Sequence, residues 1–279
     1  MKSLKSKIEI NFWGVRGSIP TPGKKFSKYG GNTSCVEIRV GDETIIFDMG
    51  SGIKNLGDKL IKRRKKNFNI FVSHFHYDHT CGLPFFKPAY NSDFTFTINA
   101  GIMTSRDKVL EVLNRQISSP SFPITLNDFK AEISFNDFKI GEDLYLNDKK
   151  IIIKTINLNH PDGAVGYRVE YENKSVCYIT DHEHVVNKKD SFLVNFLNNS
   201  NALIYDSTYQ DEEFKNYIGW GHSTWQQGAR IAKEANIENF FIFHHNPDND
   251  DNIMEKIEIN SKKIYNKCYV AKEGMKVSL

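Results

Sequence analysis

The chain has 279 residues, of which 39% are hydrophobic, so it is long enough to bury one large core or two modest ones. Its formal net charge of +3 is small, and no global electrostatic field therefore favours a nucleic-acid partner. No stretch resembles an export signal or a membrane span, and the four cysteines form no CxxC pair. We therefore expect a cytoplasmic protein with free thiols.

The first quarter of the chain predicts a strand, a hairpin and a helix. Residues Ile8–Trp13 alternate between apolar and polar side chains, and Cys35–Val40 and Thr44–Phe47 flank a Gly-Asp turn as hairpin strands do. A helix is predicted over Ile53–Lys66, ending in the basic run Lys62–Lys66. Because cations complement the dipole at a helix end, we interpret this run as a solvated helix terminus, with a polyanion-binding patch as the alternative.

The region from Leu83 to Phe138 is less regular. It predicts a strand at Phe94–Asn99 and a helix at Thr104–Gln116, followed by a loop rich in serine and proline. We interpret the region near 83–138 as a lid or insertion over the mouth of a site, within a single domain that spans residues 1–279.

The rest of the chain alternates between strands and polar residues, in an order typical of a layered α/β fold. The predicted strands are Ile151–Leu158, Val165–Tyr171, Ser175–Thr180, Ala202–Tyr205, Phe240–Phe243 and a terminal pair near Tyr269–Val277. Helices are predicted over Thr224–Ala235 and near Ile253–Tyr265.

The placement of histidine is the strongest signal. All nine histidines lie from His74 onward, and eight of them follow a strand-like run within a few residues. After the apolar run at 70–72, four metal-competent side chains arrive within six residues: His74, His76, Asp78 and His79. Imidazoles and carboxylates are costly to bury without partners, and a divalent cation satisfies all four together. The alternative is a polar turn with solvated histidines.

Other strand ends supply enough ligands for two adjacent cations. The expected ligands are His74, His76 and His160 for one cation, Asp78, His79 and His244 for the other, and Asp181 as a bridge. Two cations about 3.5–4 Å apart activate a shared water and neutralise charge on the substrate. Nitrogen and oxygen ligands suit Zn²⁺, Mn²⁺ or Fe²⁺, of which we prefer Zn²⁺. For Asp181 alone, the alternative is a strand-end carboxylate that caps a turn.

These residues resemble the motif of the metallo-β-lactamase superfamily. HFHYDH at 74–79 has the HxHxDH form, and His160, Asp181 and His244 follow in matching strand-end positions. Three further segments look like the ribonuclease Z and cyclic-phosphodiesterase branch of this superfamily. They are the opening FWGVRGSIPTPG, LIYDSTY, and the later GHSTWQQGARIAKEANIENFFIFHH. The resemblance implies an α/β fold, a four-layer αβ/βα sandwich of two mixed sheets flanked by helices, with two divalent metal ions.

The same resemblance implies a phosphodiesterase. A water shared by the two cations would attack phosphorus. His222 would protonate the leaving oxygen or hold a phosphate oxygen, and Asp206 would orient His222. Asp78 would be both a catalytic residue and a metal ligand. Ser223 and Gln226 predict a capping box that places His222 at a helix N-terminus, where an anion is favoured. The alternative for His222 is simple packing beside the cap.

Two departures from ribonuclease Z favour a small phosphodiester, such as a cyclic nucleotide, as the substrate. The strand-end acid is Asp206 rather than glutamate, and no long Gly/Pro-rich arm for clamping transfer RNA is apparent. We expect no membrane partner and a homodimer. The alternatives are a ribonuclease that uses Lys62–Lys66 to bind RNA, a hydrolase of thioesters, lactones or lactams, and a metal-binding scaffold without catalysis.

Five further residues lie outside the expected ligand set, and four of them have two possible roles. His182 and His184 either orient the ligands or belong to a solvated turn, and His245 orients a ligand or packs. Arg16 either binds phosphate or pairs with a surface carboxylate. Cys81 is interpreted as a small apolar filler.

Overall fold

Two seven-stranded sheets form the centre of the protein in a computed structural model that describes residues 7–102 and 108–279. The strands of the first sheet are Ile8–Gly14 (β1), Cys35–Val40 (β2), Glu43–Phe47 (β3), Asn67–Val72 (β4), Thr95–Ile102 (β5), Glu132–Lys139 (β6) and Lys276–Ser278 (β14). They lie in the order β14-β1-β2-β3-β4-β5-β6, antiparallel up to β3 and parallel from there to β6.

The second sheet contains the remaining strands. They are Leu144–Leu146 (β7), Ile151–Leu158 (β8), Ala164–Tyr171 (β9), Lys174–Ile179 (β10), Ala202–Asp206 (β11), Phe240–Phe243 (β12) and Cys268–Val270 (β13). Their order is β13-β12-β11-β10-β9-β8-β7, with parallel pairing from β10 to β13 and antiparallel pairing elsewhere.

The two sheets pack face to face through aromatic side chains. Phe12 of β1 lies 5.4 Å from Phe241 of β12 between ring centroids, and Phe47 of β3 stacks on Tyr178 of β10 at 5.0 Å. All four rings are buried. Burying large rings contributes much of the hydrophobic stabilisation of such a core, which accounts for the phenylalanine-rich composition.

Helices cover the outer faces. They are Ile53–Leu60 (α1), Tyr77–Thr80 (α2), Val109–Gln116 (α3), Ser191–Leu197 (α4), Asp211–Phe214 (α5), Trp225–Glu234 (α6) and Asp251–Ile264 (α7). Helix α1 buries Ile53 and Leu56 against the first sheet, and α6 packs on β12 at Gly228, where a Cβ would lie 2.6 Å from the ring of Phe240. The resulting layers of helix, sheet, sheet and helix confirm the predicted sandwich.

The first helix is shorter than predicted. It ends at Leu60 rather than Lys66, so the basic run is a turn and not a helix terminus. Two cations of the basic run form ion pairs with carboxylates on neighbouring strands. Arg63 pairs with the buried Glu37, and Lys65 pairs with Glu43. Because these ion pairs join distant parts of the chain, local periodicity does not reveal them.

The chain terminus also differs from the prediction. We expected the last two strands to pair with each other, but β13 lies beside β12 and β14 lies beside β1, in different sheets. The connection between them therefore crosses from one sheet to the other.

The region near 83–138 belongs in part to the first sheet. Strands β5 and β6 pair in parallel along eight residues. Helix α3 starts at Val109, and the earlier part of the predicted helix, at 104–107, lies outside the described residues. A covering role stays a prediction for α3, whose Gln116 donates a hydrogen bond to the carbonyl oxygen of Phe75. Strands β6 and β7 and helix α4 were not predicted from the sequence.

A helix that crosses a membrane has to be both long and apolar. Within the described ranges, none combines the length and the apolar character that crossing a membrane requires.

Candidate metal centre

The predicted ligands meet where strands of both sheets end. His74 follows β4 of the first sheet, whereas His160, Asp181 and His244 follow β8, β10 and β12 of the second. Their ligand atoms, with those of neighbouring residues, form overlapping groups in which all atoms lie within 4.8 Å of one another. The groups are His74, His76 and His160; His74, His79 and Asp181; Asp78, His79 and His244; and Asp181, Asp206, His222 and His244.

Asp181 lies at the centre of this cluster. Its Oδ1 is 3.6 Å from Nε2 of His74 and 3.8 Å from Nε2 of His160. Its Oδ2 is 3.1 Å from Nε2 of His79 and 3.3 Å from Nε2 of His244. Ligands bound tetrahedrally at about 2.0–2.2 Å from one ion are separated by about 3.3–3.6 Å, so these spacings fit shared cations. One oxygen faces each half of the cluster, as a bridging ligand requires.

Two of the buried nitrogens that lack a hydrogen-bond partner within the described part of the chain belong to candidate ligands. They are Nε2 of His74 and Nε2 of His79, and both point into the cluster. A buried polar atom without a partner is destabilising, and a cation would satisfy both nitrogens. Burial also holds the pKa of His74 well below its usual range, which favours the neutral form that binds metals. The donor set therefore fits divalent metal ions.

A residue that we did not predict orients one of the candidate ligands. Asp48 follows β3, has a φ of +61°, and places Oδ2 at 2.8 Å from Nδ1 of His79. The same carboxylate accepts hydrogen bonds from the backbone and hydroxyl of Ser73 and from the hydroxyl of Tyr178. This contact turns Nε2 of His79 towards the cluster. The signal was present in the sequence, since Asp48 is an acid directly after a strand.

Other ligands are held in the same way. Nδ1 of His160 lies 2.8 Å from the carbonyl oxygen of Gly221, and Nδ1 of His244 lies 2.9 Å from the hydroxyl of Thr208. The backbone N–H of Ser18 donates to Oδ2 of Asp78 at 2.8 Å. Loops from both halves of the chain therefore hold the ring orientations.

His222 and Asp206 form a buried pair beside the cluster. Nδ1 of His222 lies 2.8 Å from Oδ2 of Asp206, and the imidazole stacks on His244 with centroids 4.9 Å apart. Burial lowers the pKa of His222, but the charge and hydrogen bond of Asp206, together with the charges of Asp181 and Asp78, outweigh burial and raise the pKa to about 9. The backbone and hydroxyl of Thr208 donate to the other oxygen of Asp206. The geometry matches the pairing expected of an oriented proton donor.

Comparison with known proteins identifies the family. The β-lactamase superfamily domain matches residues 55–245. The chain belongs to this superfamily. A ribonuclease Z from Picrophilus torridus is 26% identical over 316 aligned positions, covering 99% of this chain and 97% of that protein. The superfamily predicted from HFHYDH is thus confirmed, together with a likeness to proteins named ribonuclease Z.

Solved structures of the superfamily share the fold. The metallo-β-lactamase fold protein YhfI from Bacillus subtilis has a TM-score of 0.74 at 18% identity, covering 99% of this chain and 100% of that one. A diphosphatase from the PhnP family has a TM-score of 0.71 at 15% identity, with 97% of each chain covered. In a member of this superfamily, the histidine and aspartate cluster indicates a site for divalent metal.

The helix beside His222 begins one residue later than Ser223 and Gln226 predict. Thr224, not Ser223, is the N-cap of α6, and its hydroxyl accepts a hydrogen bond from the backbone N–H of Gln227. The hydroxyl of Ser223 lies instead 2.8 Å from Nδ1 of His184. His222 therefore precedes the cap by two residues, and the predicted capping box is wrong.

The residues after Asp181 support neighbouring loops. His182 is buried, and its Nδ1 accepts a hydrogen bond from the backbone N–H of Asn159. The next residue, Glu183, accepts backbone hydrogen bonds from Gly219 and Gly221. His184 stacks on a phenylalanine of α5 with centroids 4.2 Å apart. The segment is therefore not a solvated turn, and these side chains orient the loops that carry His160 and His222.

Arg16 is structural rather than phosphate-binding. Its guanidinium is buried and donates to the carbonyl oxygens of Gly30, Asn246 and Asn249 at 2.8, 3.0 and 2.6 Å. Burial lowers its pKa to about 10, so it stays charged at neutral pH. Arg16 was predicted to bind phosphate or to form a surface ion pair. Both predictions are wrong, because the buried guanidinium donates its hydrogen bonds to backbone carbonyl oxygens, including two of the 246–249 loop.

Two other residues lie outside the cluster, as expected for packing. Nε2 of His245 lies 2.8 Å from the carbonyl oxygen of Ala271, and its ring is buried. The Sγ of Cys81 lies 3.8 Å from the hydroxyl of Thr33.

A cavity of about 210 Å³ opens at the cluster. It is lined by His74, Phe75 and His76, by Val112 and Arg115 of α3, and by Asp162 and Gly163. A cavity of about 590 Å³ between the 184–188 loop and α5 contains none of the clustered ligands. Of these two cavities, the smaller would place a bound molecule beside the candidate ligands His74 and His76.

Proposed function

We propose that the protein is a metal-dependent hydrolase that cleaves a small phosphodiester, such as a cyclic nucleotide. The observation that carries the proposal is the position of Asp181, which offers one carboxylate oxygen to each half of the histidine cluster. The relative named ribonuclease Z supports phosphodiester chemistry, because RNA is a phosphodiester polymer. The expected cytoplasmic location and homodimer remain predictions.

The metal ligands in this proposal are those that the sequence predicted. His74, His76 and His160 would hold one divalent cation, Asp78, His79 and His244 a second, and Asp181 both. Such ions supply, when bound, an activated water and neutralisation of charge on the phosphate. Zn²⁺ is our first choice for these nitrogen and oxygen ligands, with Mn²⁺ or Fe²⁺ as alternatives.

His222 is the proposed proton donor to the leaving oxygen. Its Nδ1 is held by Asp206, which leaves Nε2 as the nitrogen that would give up the proton. Asp206 is a positioning residue in this scheme, since it acts through the imidazole. Oδ2 of Asp78 lies 3.2 Å from Nε2 of His79 and 3.3 Å from Nε2 of His244, which fits three ligands of one cation.

Replacing the bridging residue tests the proposal. Asp181→Ala should abolish turnover of bis-p-nitrophenyl phosphate and deplete bound metal, measured by elemental analysis of the purified protein. Asp148→Ala is the matched control, because Asp148 also has a positive φ but lies in an exposed turn after β7. Activity of the Asp181 variant at the wild-type level would remove Asp181 from the mechanism.

RNA is the second candidate substrate, because the relative named ribonuclease Z matches along nearly its whole length. Two observations favour the small substrate. The alignment runs over 316 positions, more than the 279 residues of this chain, so the relative carries segments without a counterpart here. Moreover, Arg63 and Lys65 of the basic run already pair with carboxylates. Screening cyclic nucleotides, phosphodiester head groups and short RNA side by side would separate the two.

A hydrolase of thioesters, lactones or lactams is the remaining catalytic alternative. Such a reaction would not need His222. A His222 variant that still hydrolyses a thioester, lactone or lactam at the wild-type rate would favour that alternative.

A further inference from the structure

The loop before His222 carries a series of aromatic rings that the proposed mechanism does not use. Trp220 is 62% exposed and packs edge-on against Tyr217, with centroids 5.7 Å apart and planes at 86°. Tyr217 stacks on Tyr209 at 4.0 Å, and Tyr209 meets the ring of His222 at 6.0 Å. The rings therefore lead from an exposed indole to the proposed proton donor.

The backbone on both sides of Trp220 is held in place. Oε2 of Glu183 accepts the N–H of Gly219 at 2.7 Å and the N–H of Gly221 at 2.8 Å, the two neighbours of the tryptophan. The carbonyl oxygen of Gly221 lies 2.8 Å from Nδ1 of His160, and a Cβ at position 221 would lie 2.1 Å from that nitrogen. Since consecutive residues span at most about 3.6 Å each, the Cα of Trp220 lies within about 7 Å of that of His222.

We propose that Trp220 stacks on a planar base of the substrate, and that the substrate is therefore a nucleoside phosphodiester. This inference rests on the proposed phosphodiesterase function and names its substrate class. Stacking on an indole needs only a flat aromatic face, and a side chain on a braced loop loses little freedom when a base binds. An uncharged aliphatic head group would gain little from an indole face, and a cationic one would be recognised by its charge rather than by a planar ring.

A subunit contact is the competing explanation for an exposed tryptophan. The exposed apolar side chains of this loop are Ile218 and Trp220, and the loop also exposes Lys215 and Asn216. A stable protein interface buries about 800 Å² on each partner, more than this loop provides by itself. Val185 and Val186 lie beside Ile218 around the larger cavity, whereas Trp220 does not line that cavity and can receive a single ring of a substrate.

Kinetics with and without a base test the inference. Trp220→Leu should raise the KM for 2′,3′-cyclic AMP by about 5- to 150-fold, the range that one base–aromatic stack provides, with little change in kcat. The KM for ethylene phosphate, a cyclic diester without a base, should not change, and Trp220→Phe should retain most of the affinity. Tyr145→Leu is the control, because Tyr145 is an equally exposed aromatic residue on strand β7. An equal rise in KM for both diesters, or none for either, would overturn the inference.

Fluorescence provides a readout that does not require turnover. AMP should quench the tryptophan emission of the wild-type protein, ribose 5-phosphate should not, and Trp220→Phe should abolish the quenching by AMP. If neither diester is hydrolysed, the proposed function fails while the AMP titration still decides the role of Trp220. AMP and ribose 5-phosphate could instead quench the emission equally, and Trp220→Leu could convert an oligomer in solution into a smaller species. In that case Trp220 belongs to a subunit contact and the inference is wrong.

Discussion

The carboxylate of Asp48 lies 2.8 Å from Nδ1 of His79, and this contact determines which ring nitrogen of the histidine faces the cluster. Asp48 belongs to the first hairpin and His79 to the motif after β4, so the pair joins two segments of the first sheet. A carboxylate behind a histidine ligand fixes its tautomer and makes it a better donor to a metal.

Asp48→Asn should weaken metal binding by about 10- to 100-fold. An amide can donate to Nδ1, which would leave the proton on Nε2 of His79 and block that ligand. Chelator competition measures the affinity. Tyr178→Phe is the control, because it removes only the hydroxyl that donates to the same carboxylate at 2.7 Å. Equal metal affinity in the asparagine variant would show that Asp48 does not orient His79.

His222→Gln should lower kcat by about 10²- to 10⁴-fold for a diester with an alkoxide leaving group, because the proton donor is lost. The loss should be smaller for bis-p-nitrophenyl phosphate, whose leaving group departs without a proton. Bound metal should stay at the wild-type level. Loss of metal would instead make His222 a ligand, which its place in the group with Asp181, Asp206 and His244 allows.

Gly17→Ala should reduce both metal content and activity. A Cβ at position 17 would lie 2.3 Å from Cε1 of His244, so the imidazole would have to move. Elemental analysis and turnover of bis-p-nitrophenyl phosphate measure the effect. Ser18→Ala is the control, since the backbone N–H that binds Asp78 remains. Unchanged metal content in the Gly17 variant would mean that the loop can yield without moving the ligand.

Binding of short RNA should depend only weakly on salt. In the basic run, Arg63 and Lys65 are paired, and Lys62 and Arg64 are the exposed members. Two phosphate contacts on a single strand correspond to a slope of about −1.4 in log K against log salt. A much steeper slope that Lys62→Ala with Arg64→Ala makes shallower would favour the RNA alternative.

The sequence alone predicted the membership of the cluster because it depends on a simple regularity. Apolar runs mark strands, and strands of a layered fold bring their ends together, so the polar residues that follow them meet. His160 and Asp181 were found in this way although neither lies near the motif at 74–79. Asp48 obeys the same regularity and was missed because it opens a Gly-rich turn that we interpreted only as a connection.

The features that could not be predicted depend on contacts between distant residues. Helix α1 ends early, and just beyond its end Arg63 pairs with Glu37. Helix α6 has Thr224 rather than Ser223 as its N-cap, and the hydroxyl of Ser223 contacts His184 instead. Neither partner is close in sequence. Strand β6 lies at the sheet edge, where Ile133 and Phe135 are only partly buried and Phe138 is buried.

The pairing of β1 with β14 has a consequence for how the chain reaches its native state. Ile10 lies opposite Val277, so the first sheet is completed only by closing a loop of nearly the whole chain. Such closure slows folding, and a nascent polypeptide carries β1 with one open hydrogen-bonding edge until the residues of β14 emerge from the ribosome. Association of incomplete chains through that edge is therefore the principal hazard during synthesis.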